Sequence, residues 1–154
     1  MTAPASPPSD GPELDLELPA KPAFVRTARH AVAALARMHD LPDDVIEDVR
    51  IAVSEACTAV LPAADDPDEA IPIRLSASAE ATRMVIELID PYSRLEREVA
   101  GAPAELDTAD LPFDRALSLP IIRGLVDEMA ISPRQGHGVV IRMTLLTEEA
   151  DTES

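Results

Sequence analysis

Aromatic side chains are nearly missing from this chain: two Phe, one Tyr and no Trp in 154 residues. A core has to come from Ala, Val, Leu and Ile, fitted together as small pieces rather than around large rings. Cysteine is as scarce, since Cys57 stands alone. That excludes an internal disulfide framework and suits a reducing, cytoplasmic compartment. Basic residues are outnumbered, with 13 Lys+Arg against 29 Asp+Glu and a formal net charge of -16. A surface of that sign repels phosphate backbones, which argues against direct nucleic-acid binding. No apolar run approaches the roughly 20 residues of a membrane helix, and no basic segment leads into an apolar one as in a signal peptide. What is present is hydrophobic material at 46%, enough to bury the core of one domain.

The punctuation along the chain is mostly proline. Residues 1–12, MTAPASPPSDGP, carry four prolines and no apolar period, which predicts an unstructured leader. Residues 148–154 are an acidic tail expected to fray. Residues 13–147 then form a single domain without internal repeats. Leu14, Leu16 and Leu18 alternate with Asp15 and Glu17 as in a half-buried strand. Phe24, Ala28, Val32, Leu35 and Met38 recur at helical spacing, so an amphipathic helix is expected from Ala23 to about His39, with Arg26, Arg29, His30 and Arg37 outward.

Pro42 followed by Asp43 and Asp44 reads as the start of a second helix, with Val45, Val49, Val53, Ala56 and Val60 as its buried stripe. Ile71 to Ala79 and Met84 to Ile89 read as neighbouring antiparallel strands. Residues 91–115 show no period and read as a long loop. A third helix is expected to bury Leu119, Ile122, Leu125, Val126 and Met129, before a hairpin through Ile131 and Val139–Leu145. The order β-α-α-β-β-loop-α-β-β predicts an α+β two-layer sandwich, a mixed sheet covered on one face by helices.

Searches for metal and nucleophile motifs find nothing. His30, His39 and His137 have no partner at ligand spacing, and no GxSxG, Walker or GxGxxG pattern is present. Cys57, inside an apolar helical run, reads as a small buried hydrophobe.

One segment is informative. The run Asp48-Val-Arg-Ile-Ala-Val-Ser-Glu55-Ala-Cys-Thr-Ala59-Val60 resembles the N-box helix of the GHKL (Bergerat-fold) ATPases, and specifically the RsbW-like anti-sigma-factor serine kinases. The resemblance extends over most of residues 12–146 and implies a GHKL-type sandwich. In that family a Glu accepts the proton of an attacking hydroxyl, and an Asn four residues later holds Mg²⁺ on the bound ATP. Positions i and i+4 share a helix face, which lets both meet one ligand. Glu55 matches the base, but Ala59 stands where the Asn would be, and a methyl group cannot ligate magnesium.

Further boxes are altered in the same way. Asp90 matches the family's adenine-binding Asp, while Tyr92 and Arg94 fill glycine positions. Ala116 and Ser118 replace the glycines of the phosphate-cradling turn, ahead of a closely matching helix. The last box, Gly136-His137-Gly138-Val139, is kept. The expectation is therefore no cofactor, or, if one is used, ATP with Mg²⁺. Taken singly, Glu55 also fits a solvated helix face, and Asp90 fits a turn ahead of Pro91.

The family also works without ATP, by holding a sigma factor through direct contact. Phe24-Val25-Arg26 resembles the family's Phe-Ala-Arg contact run, which assigns partner binding to Arg26; a solvent-exposed Arg without a partner fits the position equally. The expected partners are a sigma factor and an anti-sigma-factor antagonist, with a homodimer as a family habit. The rival is an active serine-protein kinase that phosphorylates the antagonist.

Overall fold

The computed structural model describes residues 11–61, 72–80, 82–90, 113–134 and 138–147, with residues 113–117 described as backbone only. Residues 1–10 of the leader, the acidic tail and most of the loop expected at 91–115, including Tyr92 and Arg94, lie outside the described residues, as do Gly136 and His137 of the last box. The elements are β1 (Leu14–Leu18), a 3-10 turn (Pro22–Phe24), α1 (Val25–Met38), α2 (Asp43–Val60), β2 (Ile73–Glu80), β3 (Arg83–Asp90), α3 (Phe113–Leu125), β4 (Glu128–Pro133) and β5 (Val139–Leu146). Their order matches the one read from the sequence. No described helix is long and apolar enough to cross a membrane.

The five strands lie in the order β1-β2-β3-β5-β4, and every pairing is antiparallel. The sheet is therefore not mixed, as the sequence had led us to expect. Two helices separate β1 from β2, so the chain returns reversed. β3 and β4 run in one direction, but β5 is inserted between them and converts a parallel neighbour pair into two antiparallel ones.

Alternation sorts the strands onto two faces. One row runs across all five: Leu16 beside Leu75, Leu75 beside Leu88, Leu88 beside Ile141, and Ile141 beside Ile131. Leu75, Leu88 and Ile141 are fully buried, while Leu16 and Ile131 on the edge strands are half-buried. The helices cover this face. The other face is polar, with Arg74 gripping Asp15 through two bonds of 2.9 and 2.6 Å. A shallow depression of about 280 Å³ there is lined by Ser78, Arg83, Glu87 and Arg142 among others.

α2 is the central helix, packed against both α1 and α3. It buries Ile46, Val49, Ala52, Val53, Ala56, Cys57, Ala59 and Val60. Burial pushes the Cys57 thiol up to about 12, which leaves it an inert packing group, as expected. α1 buries Ala28, Val32, Ala33, Leu35 and Ala36. Met38, which continues the apolar period of α1, is instead 78% exposed, because the helix ends there and the chain turns away. Asp40 adopts φ 54°. The Asp40 N–H donates to Arg37 O and the Leu41 N–H to Ala36 O, a Schellman cap that buries Leu41.

The third helix is shorter than expected. It stops at Leu125, and Met129 belongs to β4, where it faces Met143. At the final hairpin Gly138 takes φ 102°, and its carbonyl accepts the Arg134 N–H at 2.8 Å; a side chain at that φ would be strained.

Glu13 ties three elements together. Its Oε1 accepts the Ala79 N–H at 2.9 Å, and its Oε2 lies 2.8 Å from His39 Nε2 at the end of α1. The Ala79 bond first, then His39, hold the carboxyl below the ordinary glutamate value. A depressed folded pKa stabilises the fold above the unfolded value, and that stability is lost as pH falls through the folded value. Glu13→Gln should lower Tm by a few degrees at pH 7, for about 1 kcal/mol or less given its exposure. The gap to the unmodified protein should close below the folded pKa in melts run from pH 7 to 3. A pH-independent gap would show that the charge contributes nothing.

Candidate functional site

The residues singled out in the N-box run sit on the α3 side of α2. A helix advancing about 100° per residue places Glu55 and Ala59 about 40° apart, on the border between the buried and solvent-facing arcs. Glu55 is half-buried and Ala59 is fully buried. The hydroxyl of Ser118, itself fully buried on α3, donates to Glu55 Oε2 at 3.0 Å. Two residues 63 apart in sequence, both singled out by the family resemblance, therefore meet in space.

The segment expected as a phosphate-cradling turn takes another form. Ala116, Leu117 and Ser118 are wound into α3, which begins at Phe113 and carries Pro120 inside it. Alanine favours helix by up to 1 kcal/mol or so over glycine, so replacing both glycines removes the bias toward an open turn. The side chain of Ala116 lies outside the described atoms. Asp90 is fully buried at the end of β3, opposite Val139 on β5, so it is a strand residue rather than part of an exposed turn.

Asp48 lies on the same side of α2 as Glu55. Desolvation, then Asp44, Glu47 and Asp127, raise its carboxyl above the ordinary value. Among the described residues no group of three or more His, Cys, Asp or Glu is placed to hold a metal ion.

Arg26 occupies the first turn of α1 and is exposed, as expected, with its Nε donating to His30 Nε2 at 3.4 Å. His30 shows what periodicity alone missed. Its pKa is lowered, first by desolvation and then by Arg26, Arg29, Arg50 and Arg37. Arg50 comes from α2, on the flank opposite Glu55, so helix packing rather than sequence spacing completes this cluster.

Comparison with known proteins now gives the class. Residues 18–145 match the Histidine kinase-like ATPase domain, and the chain belongs to that family. Within it, the chain is similar to Serine-protein kinase RsbW of Bacillus thuringiensis (strain Al Hakam), 26% identical over 146 residues, covering 92% of this chain and 90% of that protein. The RsbW of Bacillus pumilus (strain SAFR-032) is 26% identical over 149 residues, covering 92% and 91%. Among solved structures, the RsbU and RsbW domains of Rv1364c from Mycobacterium tuberculosis align with TM-score 0.63 at 17% identity, over 92% of this chain and 34% of that one. The SiaB-SiaC complex from Pseudomonas aeruginosa also aligns with TM-score 0.63 at 17% identity, over 87% and 89%. At that identity the two structures speak to the fold, and both support the GHKL-type sandwich.

The Glu55–Ser118 bond can be isolated by a double-mutant cycle. Ser118→Ala should cost roughly 0.5–1.5 kcal/mol of stability. With Glu55→Ala it should show a coupling of at least about 0.5 kcal/mol in denaturant melts. Strict additivity would mean that the two side chains do not share an interaction in solution.

Proposed function

We propose that this protein is a cytoplasmic anti-sigma factor that sequesters a sigma factor by direct contact and is released by partner switching with an anti-sigma-factor antagonist. The observation that carries this reading is the state of the α2–α3 site. Glu55 already accepts the hydroxyl of Ser118, and the position one turn further is a buried methyl, Ala59. The glycine positions nearby are wound into a helix. This donor set does not fit an ATP-bridging magnesium ion, which needs oxygen ligands. Sequestration needs none of those groups. It needs a presented surface, and exposed Arg26 at the start of α1 supplies one. Homodimer formation is part of the proposal as an expectation from the family resemblance.

The rival reading is an active serine-protein kinase. The retained, half-exposed Glu55 favours it, as does the name carried by the RsbW relatives. In that case Glu55 would take the proton of the antagonist's serine hydroxyl, after first giving up the bond from Ser118.

Calorimetric titration with Mg-ATP separates the two. We expect no binding tighter than roughly 10 μM, a threshold of about 7 kcal/mol. A lower Kd, with phosphate transferred to the antagonist and lost in Glu55→Ala, would establish the kinase. Arg26→Glu should weaken sigma-factor capture at least tenfold, about 1.4 kcal/mol, at unchanged Tm. Wild-type affinity in that variant would remove Arg26 from the interface.

A further inference from the structure

One concentration of like charge among the described residues runs against the sign of the whole molecule. On α1, Arg26, Arg29, His30 and Arg37 fall within an arc of about 100°, spread over three turns or roughly 16 Å of helix axis. Arg50 joins them from α2, and His30 feels all four guanidinium groups. In a chain with 29 Asp+Glu, neutralising carboxylates would be easy to supply, yet few are here. Arg26, Arg29 and Arg37 form no ion pair with a described residue, and Arg50 has only a loose contact of 3.7 Å to the exposed Glu47. Arg29 is the telling member. It is half-buried, and its Nε is fully covered without a hydrogen-bond acceptor. A covered N–H without an acceptor is costly to the free protein, and a partner carboxylate bonded to this guanidinium offsets that cost.

Beside the arginines runs an apolar strip. Ala31 is half-buried, Ala34 is exposed, and Met38 is 78% exposed, all on the next arc of α1. Cations along one edge and a shallow apolar floor along the other are what an amphipathic helix with acidic residues every three or four positions would cover. A nucleic acid is a poorer fit, because only three turns attract it while a net charge of -16 repels the rest of a long polyanion.

We propose that Arg26, Arg29, His30, Arg37 and Arg50 form one cationic ridge along the α1–α2 pair that docks an acidic, amphipathic helical segment of a partner protein. The inference rests on the sequestration reading and sharpens it. Although this chain carries a net charge of -16, the segment of the partner that touches the ridge is acidic, whatever the partner's overall charge.

The probe is a capped Ala/Leu helical peptide bearing four Glu at three- and four-residue spacings, with a Lys-for-Glu counterpart and a short DNA duplex as controls. We expect the Glu peptide to bind the full chain, to weaken steeply with salt, and to raise the His30 titration midpoint followed by NMR of its imidazole protons. The Lys peptide and the duplex should do neither. Arg29→Gln with Arg37→Gln should reduce Glu-peptide affinity at least tenfold. If that variant does not fold, the exposed pair Arg26→Gln with Arg37→Gln carries the same expectation. Equal binding of the duplex, no Glu-peptide binding, or no loss in the folded variant would overturn the ridge. Sigma-factor capture at undiminished affinity by the folded variant would also overturn the ridge while leaving sequestration standing. Glu-peptide binding without any sigma-factor capture would keep the ridge and remove sequestration.

Discussion

Everything in this molecule is arranged around the close packing of α2. The helix is pressed against the sheet below and against α1 and α3 on its two flanks, and it has no aromatic ring with which to fill gaps. Its buried arc is made of Ala, Val, Ile and one Cys, so neighbouring backbones approach closely and tolerate little change in volume. Val49, Ala52, Val53, Ala56, Cys57, Ala59 and Val60 are all fully covered. Ala59 belongs to this packing as much as to any ligand site. A larger polar side chain there would have to displace neighbours or find its own partners.

The same helix divides the electrostatics of the domain. Its flank toward α3 carries acids, Asp48 and Glu55; its flank toward α1 carries Arg50, which extends the arginines of α1. One central element therefore holds a closed polar contact on one side and an unneutralised cationic surface on the other. The closed contact is internal, between Glu55 and Ser118. The cationic surface is outward, and among the described residues Arg26, Arg29 and Arg37 have no ion pair. That asymmetry is why we place partner recognition on α1 rather than at the altered nucleotide boxes.

Much of this was legible in the residues. The alternation of Leu14, Leu16 and Leu18 marked β1, the apolar stretches before Ala79 and Ile89 marked β2 and β3, and the acids after Pro42 marked the start of α2. The failures have local physical causes. Met129 continues a helical period from Ile122 and Val126 and equally alternates with Ile131, so period alone could not assign it; the sheet decided by pairing it with Met143. Met38 keeps the spacing of α1 past the point where there is anything to pack against. The mixed sheet was wrong because insertion of β5 is a choice of strand order, which no local pattern encodes. At the site, Glu55 and Ser118 were each identified by resemblance, but their bond depends on how α3 lies against α2. Arg50 is 24 residues from Arg26 and joins it only through the packing of two helices.

The placement of β5 has a consequence for how the chain comes into being. It is the last of the described strands in sequence, yet it sits inside the sheet, with β3 on one side and β4 on the other. During synthesis, β1, β2 and β3 can assemble with α1 and α2 as soon as they are made, but β3 then carries an open edge of unpaired amides and carbonyls. β4 cannot close that edge, because its place is at the rim. Only when residues 139–146 leave the ribosome is the ladder completed from both sides at once. A nascent chain is therefore most prone to mispairing and aggregation in the interval between the emergence of β3 and that of Val139, and a stall in that interval would expose it longest.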